Sequence, residues 1–471
     1  MKRIALIPID NRPVCYTLPM EIAAVDEDIE LLLPNRCLLG DLTRVADFEA
    51  ILEWLQGLRE LDSIILSLDT IAYGGLVSSR RGCESFEDIA ARIYKLSDIL
   101  KSKNCDVLAF SSVMRISNNN INEEEKEYWA DYGTKLFEYS FLLHKYEVTN
   151  DMVVLQSKIE VEKSIPQDIL EDYICTRERN FNINKLYLKL YEDGVLNTLV
   201  YSKDDCAQYG INVKEANLLA QEAIRQNLDV MVKTGADEIP LSLLSRALMK
   251  GRTFSVAPVF ANPDSVDKIS KYEDVSVLTS VISQLELAGV DVVKPENADI
   301  MLYVNNFKNH QGELVMDVFE EGNFKDVDGL DSAYFIADIL NANGADNSFI
   351  GKFFENKLDL GMFFGYAGWN TTGNTLGSVI CIAITKYMAK KYNESAFKKL
   401  MLVRFLDDWA YQANVRKQAK DISLIPDIDL VKEKMAAYEL ILKDKLSISP
   451  KTIDYRFPWG RYFEIEVLVN L

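Results

Sequence analysis

Nearly continuous apolar runs recur along the chain at 3–10 (RIALIPID), 29–34 (IELLLP), 63–69 (SIILSLD), 106–113 (DVLAFSSV), 198–204 (TLVYSKD), 229–235 (DVMVKTG), 253–261 (TFSVAPVFA), 299–306 (DIMLYVNN) and 359–366 (LDLGMFFG). Strands covered on both faces read this way, because no face has to be left polar for solvent. Between them the apolar spacing changes to a helical period, as at 47–60 (DFEAILEWLQGLRE), 86–101 and 213–227 (VKEANLLAQEAIRQN). Repeated strand-then-helix alternation predicts an α/β protein.

Eight or nine such units suit a (β/α)8-barrel-like domain; two doubly wound parallel sheets are the alternative. The stretch 118–192 is helical, charged and longer than one crossover needs, and reads as a helical insertion over the mouth of the site. Beyond 374 the pattern turns helical (375–392, 396–420, 428–444) and ends in a β-rich segment, 462–469 (YFEIEVLV). The expected organisation is therefore a catalytic domain over 1–374 and a mostly helical C-terminal region over 375–471.

Parallel α/β proteins bind ligands at the carboxyl ends of their strands, where loops and helix N-termini converge. Those ends are polar here. The first run ends in Asp10-Asn11-Arg12-Pro13, and the third in Asp69, followed by Tyr73 and, after Gly74-Gly75, by Arg80. Arg115 follows the fourth, Asp204-Asp205 close the fifth, and Gly235-Ala236-Asp237-Glu238 the sixth; the last leads into Trp369-Asn370. Any one of these acids serves equally well as a helix cap or turn former. Together they predict a shared polar pocket.

Composition narrows the chemistry. The chain has only two histidines, His144 in an amphipathic helical pattern and His310 in a polar turn, so a His-rich metal site is disfavoured and catalysis falls to carboxylates. A formal charge of −20 argues against nucleic acid as a partner. Seven scattered cysteines without C-x-x-C fit reduced thiols in a cytoplasm. The opening apolar run reads as a buried strand, not a leader, and no run is long enough to span a membrane. Loop signatures for nucleoside triphosphates, dinucleotides and the α/β-hydrolase elbow are absent from the sequence.

Two adjacent carboxylates push one pKa up, which leaves a proton donor beside an ionised partner. Asp204-Asp205 therefore lead as catalytic residues, with Asp237-Glu238 as the rival pair. The chemistry this favours is glycoside hydrolysis, with two carboxyls flanking an oxocarbenium-like transition state. Trp369 offers a face for a sugar ring, while Asp10, Arg12, Asp69, Tyr73, Arg80, Arg115 and Asn370 are the expected substrate-binding set. The leading expectation is a carbohydrate-active hydrolase acting on a small molecule or oligosaccharide, without a cofactor. An alternative is a Mg²⁺ or Mn²⁺ enzyme of phosphoryl or sugar-phosphate chemistry held by Asp10, Asp69, Asp204 and Asp237. A further alternative is a non-catalytic sugar- or metabolite-binding protein. Asp407-Asp408, in a helical pattern, are expected to be structural or supporting, and Phe457–Arg461 to tuck against the rest of the chain.

Asp10-Asn11-Arg12-Pro13-Val14, Leu68-Asp69 with the segment from Tyr73 to Arg80, Gly235-Ala236-Asp237-Glu238, Trp369-Asn370-Thr371 with the segment from Gly373 to Gly377, and Pro458-Trp459 with Arg461, Phe463 and Glu464 together resemble the bacterial domain-of-unknown-function family 4127 (DUF4127). The resemblance implies a bacterial protein built as one long unit and carries no activity; Asn11 stands where that family often has an acid. Separately, Asp204-Asp205 looks like the paired aspartates of O-GlcNAcase-type hexosaminidases. That likeness implies Asp204 as the orienter of a substrate acetamido group and Asp205 as the acid/base.

Overall fold

The computed structural model describes every residue except 205, 321, 323–331, 356 and 357, so Asp205 lies outside the described residues. Each of the nine predicted strand regions contains a strand. The first sheet comprises β1 (Lys2–Ile7), β2 (Ile29–Leu32), β3 (Ser63–Ser67), β4 (Asp106–Val113), β5 (Thr198–Lys203) and β6 (Met231–Thr234), all parallel, in the order β2-β1-β3-β4-β5-β6. The second comprises β7 (Ser255–Phe260), β8 (Asp291–Val292), β9 (Ile300–Asn305), β11 (Tyr334–Asp338) and β13 (Phe363–Ala367), while the two-residue strands β10 (Gly312–Glu313) and β12 (Asn341–Ala342) pair with each other. Its order is β13-β11-β9-β7-β8, again parallel. β14 (Thr452–Arg456) and β15 (Glu466–Asn470) form an antiparallel hairpin near the C-terminus.

The described strands thus fall into two open sheets in place of the single eight-stranded barrel expected first. The two orders are the same when each sheet is numbered from its own first strand: 2-1-3-4-5, with one more strand on the first sheet. That order reverses direction beside the first strand, as doubly wound folds do, whereas barrel strands pair with their neighbours in sequence. Apolar strands do not distinguish the cases, since both architectures cover both faces of the sheet.

Alternate residues of β1 serve different layers, as a pleated strand requires. Ala5 and Ile7 pack under the helices Phe48–Gly57 and Phe86–Lys101. Ile4 and Leu6 join a cluster that continues through Leu241, Leu244 and Leu248 to Val256, Leu302 and Ile336 of the second sheet. The helix Ile239–Met249 is the bridge: it packs on β3 and β4 and on the helix Thr372–Met388, which itself covers β11 and β13. Each leucine buried along it contributes roughly 1.5–3 kcal/mol relative to exposure.

The segment expected as an insertion is partly a crossover. Ile183, Tyr187 and Leu188, on the second half of the helix Gln167–Glu192, belong to the core of the first sheet, so this half connects β4 to β5. The remainder, with the helices Trp129–Thr149 and Met152–Lys163, surrounds a smaller core of Trp129, Leu136, Tyr139 and Tyr173. Position 374 falls inside the helix Thr372–Met388, which is buried over nearly its whole length. Among the described residues, no helix is long and apolar enough to cross a membrane.

Candidate active site

Loops from the carboxyl ends of both sheets meet around a polar cavity of about 90 Å³. Arg12 reaches it from the loop after β1, Arg115 from that after β4, Asp204 from β5, and Asp237 from β6. The second sheet contributes Tyr272 and Glu273 after β7, and Asn370, Thr371 and Asn374 after β13. Five residues singled out in the sequence are therefore brought to one place: Arg12, Arg115, Asp204, Asp237 and Asn370.

Arg12 organises the first wall. It donates from Nε and Nη2 to Asp10 Oδ2 (2.9 and 2.7 Å) and from Nη1 and Nη2 to Asp237 Oδ2 and Oδ1 (3.0 and 2.6 Å). Asp10 Oδ1 also accepts the Arg12 backbone N–H at 2.9 Å, and Trp459 lies against the guanidinium, 4.9 Å from its carbon. All three charged groups are buried. Burial alone disfavours the Arg12 cation, but Asp10 and Asp237 outweigh it and hold the guanidinium charged. Burial raises the Asp237 carboxyl, Arg12 opposes the rise, and Asp10 and Asp204 add to it, leaving it at about 6.

A second set of ion pairs closes the opposite approach. Glu124 takes Arg80 (3.2 Å), Arg115 (2.8 Å) and Arg461 (2.8 Å), and Glu125 lies 3.2 Å from Arg115. Burial pushes Glu124 up, but Arg115, Arg80 and Arg461 together hold it well below the usual carboxylate range. Arg115 Nη1 also lies 3.6 Å from Asp204 Oδ2, which makes no hydrogen bond among the described residues. Lys203, next to Asp204, is paired with Asp274. Glu273 accepts hydrogen bonds from Ser280 Oγ and the Gly373 N–H, both at 2.9 Å, and burial raises its pKa.

The other residues expected at the site lie around it. Asp69 is the second residue of the helix Leu68–Tyr73, which starts directly after β3 with Ser67 as its cap. Its carboxylate turns back to the Ser112 N–H at 2.8 Å, and burial raises it to about 7. Tyr73 is buried with its hydroxyl unpartnered and Arg179 over its ring. Arg80 supports the cavity through Glu124 without lining it. Trp369 is buried, with its ring 6.1 Å from that of Phe463, so the expected stacking platform is packed inside the protein.

Glu238 also departs from expectation. It is fully buried beneath the helix Thr372–Met388, where Gln284 Nε2 donates to Oε1 at 3.0 Å and the Ala236 N–H to Oε2 at 3.1 Å. A Cβ on Gly377 would sit 2.6 Å from its Cβ and Cγ, so only glycine lets the helix approach this closely. Burial is the main reason its pKa rises, to about 8. Glu238 is packed beneath the helix and does not line the cavity. Gly235, at φ 122°, turns the chain ahead of Asp237 and Glu238, and a Cβ there would collide with Glu238 Oε1.

Asn370 lines the cavity in the left-handed region, at φ 66°, where asparagine is among the few tolerated side chains. Its loop is tied from behind: Asp408 Oδ2 accepts the Gly368 N–H at 2.8 Å, and Asp407 and Asp408 both pair with Arg404. This is the supporting role expected of that pair. His144 is buried, accepting the Gly210 N–H at Nδ1, and His310 is exposed; neither lines the cavity.

Asp10, Cys15 and Asp237 place potential ligand atoms within 4.8 Å of one another. Arg12 already occupies both carboxylates, so a divalent ion would have to displace a buried guanidinium. Asp69 is engaged elsewhere. The four-acid set considered for Mg²⁺ or Mn²⁺ is therefore not assembled.

A family model described as Protein of unknown function (DUF4127) matches residues 4–468. The chain belongs to that family. No curated protein matches the sequence.

Proposed function

We propose that the cavity is the active site of a carbohydrate-active hydrolase of glycosidase type, working on a small hydroxyl-rich substrate. The observation that carries this reading is the meeting of Asp204, Asp237 and Glu273 in one cavity whose cations are already paired with carboxylates. Such a lining does not attract a phosphate, but it offers acceptors to neutral hydroxyls.

The carboxylates differ in what they are free to do. Asp237 has both oxygens in the Arg12 fork and serves as an acceptor that orients substrate. Asp204, held only by the 3.6 Å ion pair to Arg115 among the described residues, is the group that attacks the anomeric carbon or takes a proton from the attacking water. Glu273, raised by burial, delivers a proton to the leaving oxygen.

The test is a panel of chromogenic aryl glycosides, including N-acetylhexosaminides. Turnover is expected to fall about 10²–10⁴-fold in Asp204→Asn and Glu273→Gln. Asp205→Asn belongs in the same panel: a loss there with none in Glu273→Gln moves the acid role to Asp205. Activity that is unchanged in all three overturns the assignment.

A further inference from the structure

A second cavity, of about 710 Å³, adjoins the first, and Phe463 belongs to the walls of both. Arg416 lines it. The residue is only 7% exposed, and its guanidinium donates one hydrogen bond among the described residues, from Nη2 to Asn343 O at 3.0 Å. Its Nη1 is buried without a partner. The other buried arginines differ: Arg12, Arg80, Arg92, Arg177 and Arg404 each have a carboxylate partner. Arg416 alone among them pairs with none in the described residues.

Glu313, Asp407 and Glu464 act on Arg416 through space, but among the described residues none bonds to it, each being held by another group. Asp407 is held by Arg404 and Gln412, Glu464 by Arg461, and Glu313 by the Asn343 side chain. Burying a guanidinium without a counter-charge is unfavourable, and proteins normally supply one. Lys420, also on the cavity wall, is exposed and without an ion pair among the described residues. The rest of the wall is mixed: Leu314, Val315, Leu424 and Pro426 are apolar, while Lys417 pairs with Asp317, Arg461 pairs with Glu123, and Asp421 is the remaining acid.

We propose that this cavity binds an organic anion, a carboxylate or phosphate on an apolar body, and that Arg416 is its counter-charge. The anion is the remote part of a substrate whose scissile part enters the smaller cavity past Phe463. That extension rests on the proposed function; anion binding itself does not.

Calorimetric titration of the full chain with phenylacetate and phenyl phosphate tests it, with benzyl alcohol as the neutral control. Both anions are expected to bind saturably and raise the Tm, and benzyl alcohol to do neither. Arg416→Gln is expected to weaken both anions by at least about tenfold, the value of a charged hydrogen bond, and Lys420→Gln by about threefold. Asp204→Asn is expected to bind both anions as the unaltered protein does, so a failure of the hydrolase reading leaves this result readable. Absence of saturable anion binding, or undiminished binding in folded Arg416→Gln, overturns the proposal. If Arg416→Gln does not fold, Arg416→Lys and Lys420→Gln carry the test, and undiminished binding in both overturns it.

Discussion

Replacing Arg12 by methionine tests the charge arrangement at the heart of the cavity. The side chain makes four hydrogen bonds, two to each of two carboxylates, and all three groups are buried. Arg12→Met keeps most of the volume and leaves Asp10 and Asp237 facing each other without a counter-ion. Removing one partner of a buried ion pair costs about 3–5 kcal/mol, more than the pair itself contributes, because the desolvated charge remains. A chain of 471 residues has an unfolding entropy of about 1 kcal/mol/K if it melts as one unit, so the expected fall in Tm is about 3–5 °C.

Calorimetry at two pH values separates this account from simple loss of packing. The Asp237 carboxyl is already raised, and losing Arg12, the group opposing the rise, moves it further up. The native variant then holds a proton that the unfolded chain releases, so its stability increases as pH falls from 7 toward 5 and the deficit narrows. The triple variant Arg12→Met, Asp10→Asn, Asp237→Asn carries no buried charge here and is expected to recover most of the loss at pH 7. A Tm for Arg12→Met equal to that of the unaltered protein, or a triple variant no better than the single, would refute the reasoning.

Glu238→Gln is expected to stabilise the protein at pH 8 and flatten its pH dependence, as followed by denaturant unfolding. Between the ordinary value of 4.5 and about 8 the folded state keeps a proton the unfolded state has lost, so stability falls with rising pH by about 1.4 kcal/mol per unit; below 4.5 both states are protonated and above 8 neither is. Asn370→Gly should fold as well as the parent, whereas Asn370→Val places a β-branched residue at φ 66° and should cost about 1–2 kcal/mol in the same unfolding assay. Asp204→Asn should remain within about 1 kcal/mol of the parent while turnover collapses, because Oδ2 has no hydrogen bond to lose; a large loss of stability would make Asp204 a structural residue.

What could be read from the sequence follows from distance along the chain. Arg12, Asp204 and Asp237 follow strands within a few residues, so finding the strands located them. Glu273 and Glu124 lie well into long connections, and no local pattern marks a residue that reaches the cavity only through the fold. Asp69 misled because the apolar run 63–69 continues without a break into a helix: Ser67, a strand residue by pattern, is its cap. Glu238 misled because it adjoins Asp237, but consecutive side chains in helical backbone point in different directions, and Glu238 caps the helix Ile239–Met249 in that conformation. The sheets themselves were ambiguous for a different reason. Strand β8 is two exposed residues, so the order of the second sheet rests in part on an element with little hydrophobic signature.

The repeated strand order explains why one cavity serves two sheets. A doubly wound sheet opens a crevice where its order reverses, between β1 and β3 in the first half and between β7 and β9 in the second. In the second half the residues after β7 and β9 are tied together across that position. Asn262 donates from its N–H and Nδ2 to Asn306 Oδ1 and O (2.9 and 2.6 Å), and Asn306 Nδ2 donates to Asn262 O at 2.9 Å. The second half contributes through Glu273 and the Asn370–Asn374 loop, whose lining side chains face Arg12 and Asp237 of the first. Neither half alone holds both Asp204 and Glu273. The Arg12–Asp237 pair spans β1 to β6, and Gly373 N–H to Glu273 links β13 to the loop after β7, so each half fixes its own wall of the site. The acid excess of the chain is placed accordingly: around the cavity its carboxylates are matched to Arg12, Arg80, Arg115 and Arg461, and among the described residues Asp204 is held least tightly, by a 3.6 Å ion pair to Arg115 without a hydrogen bond to its Oδ2.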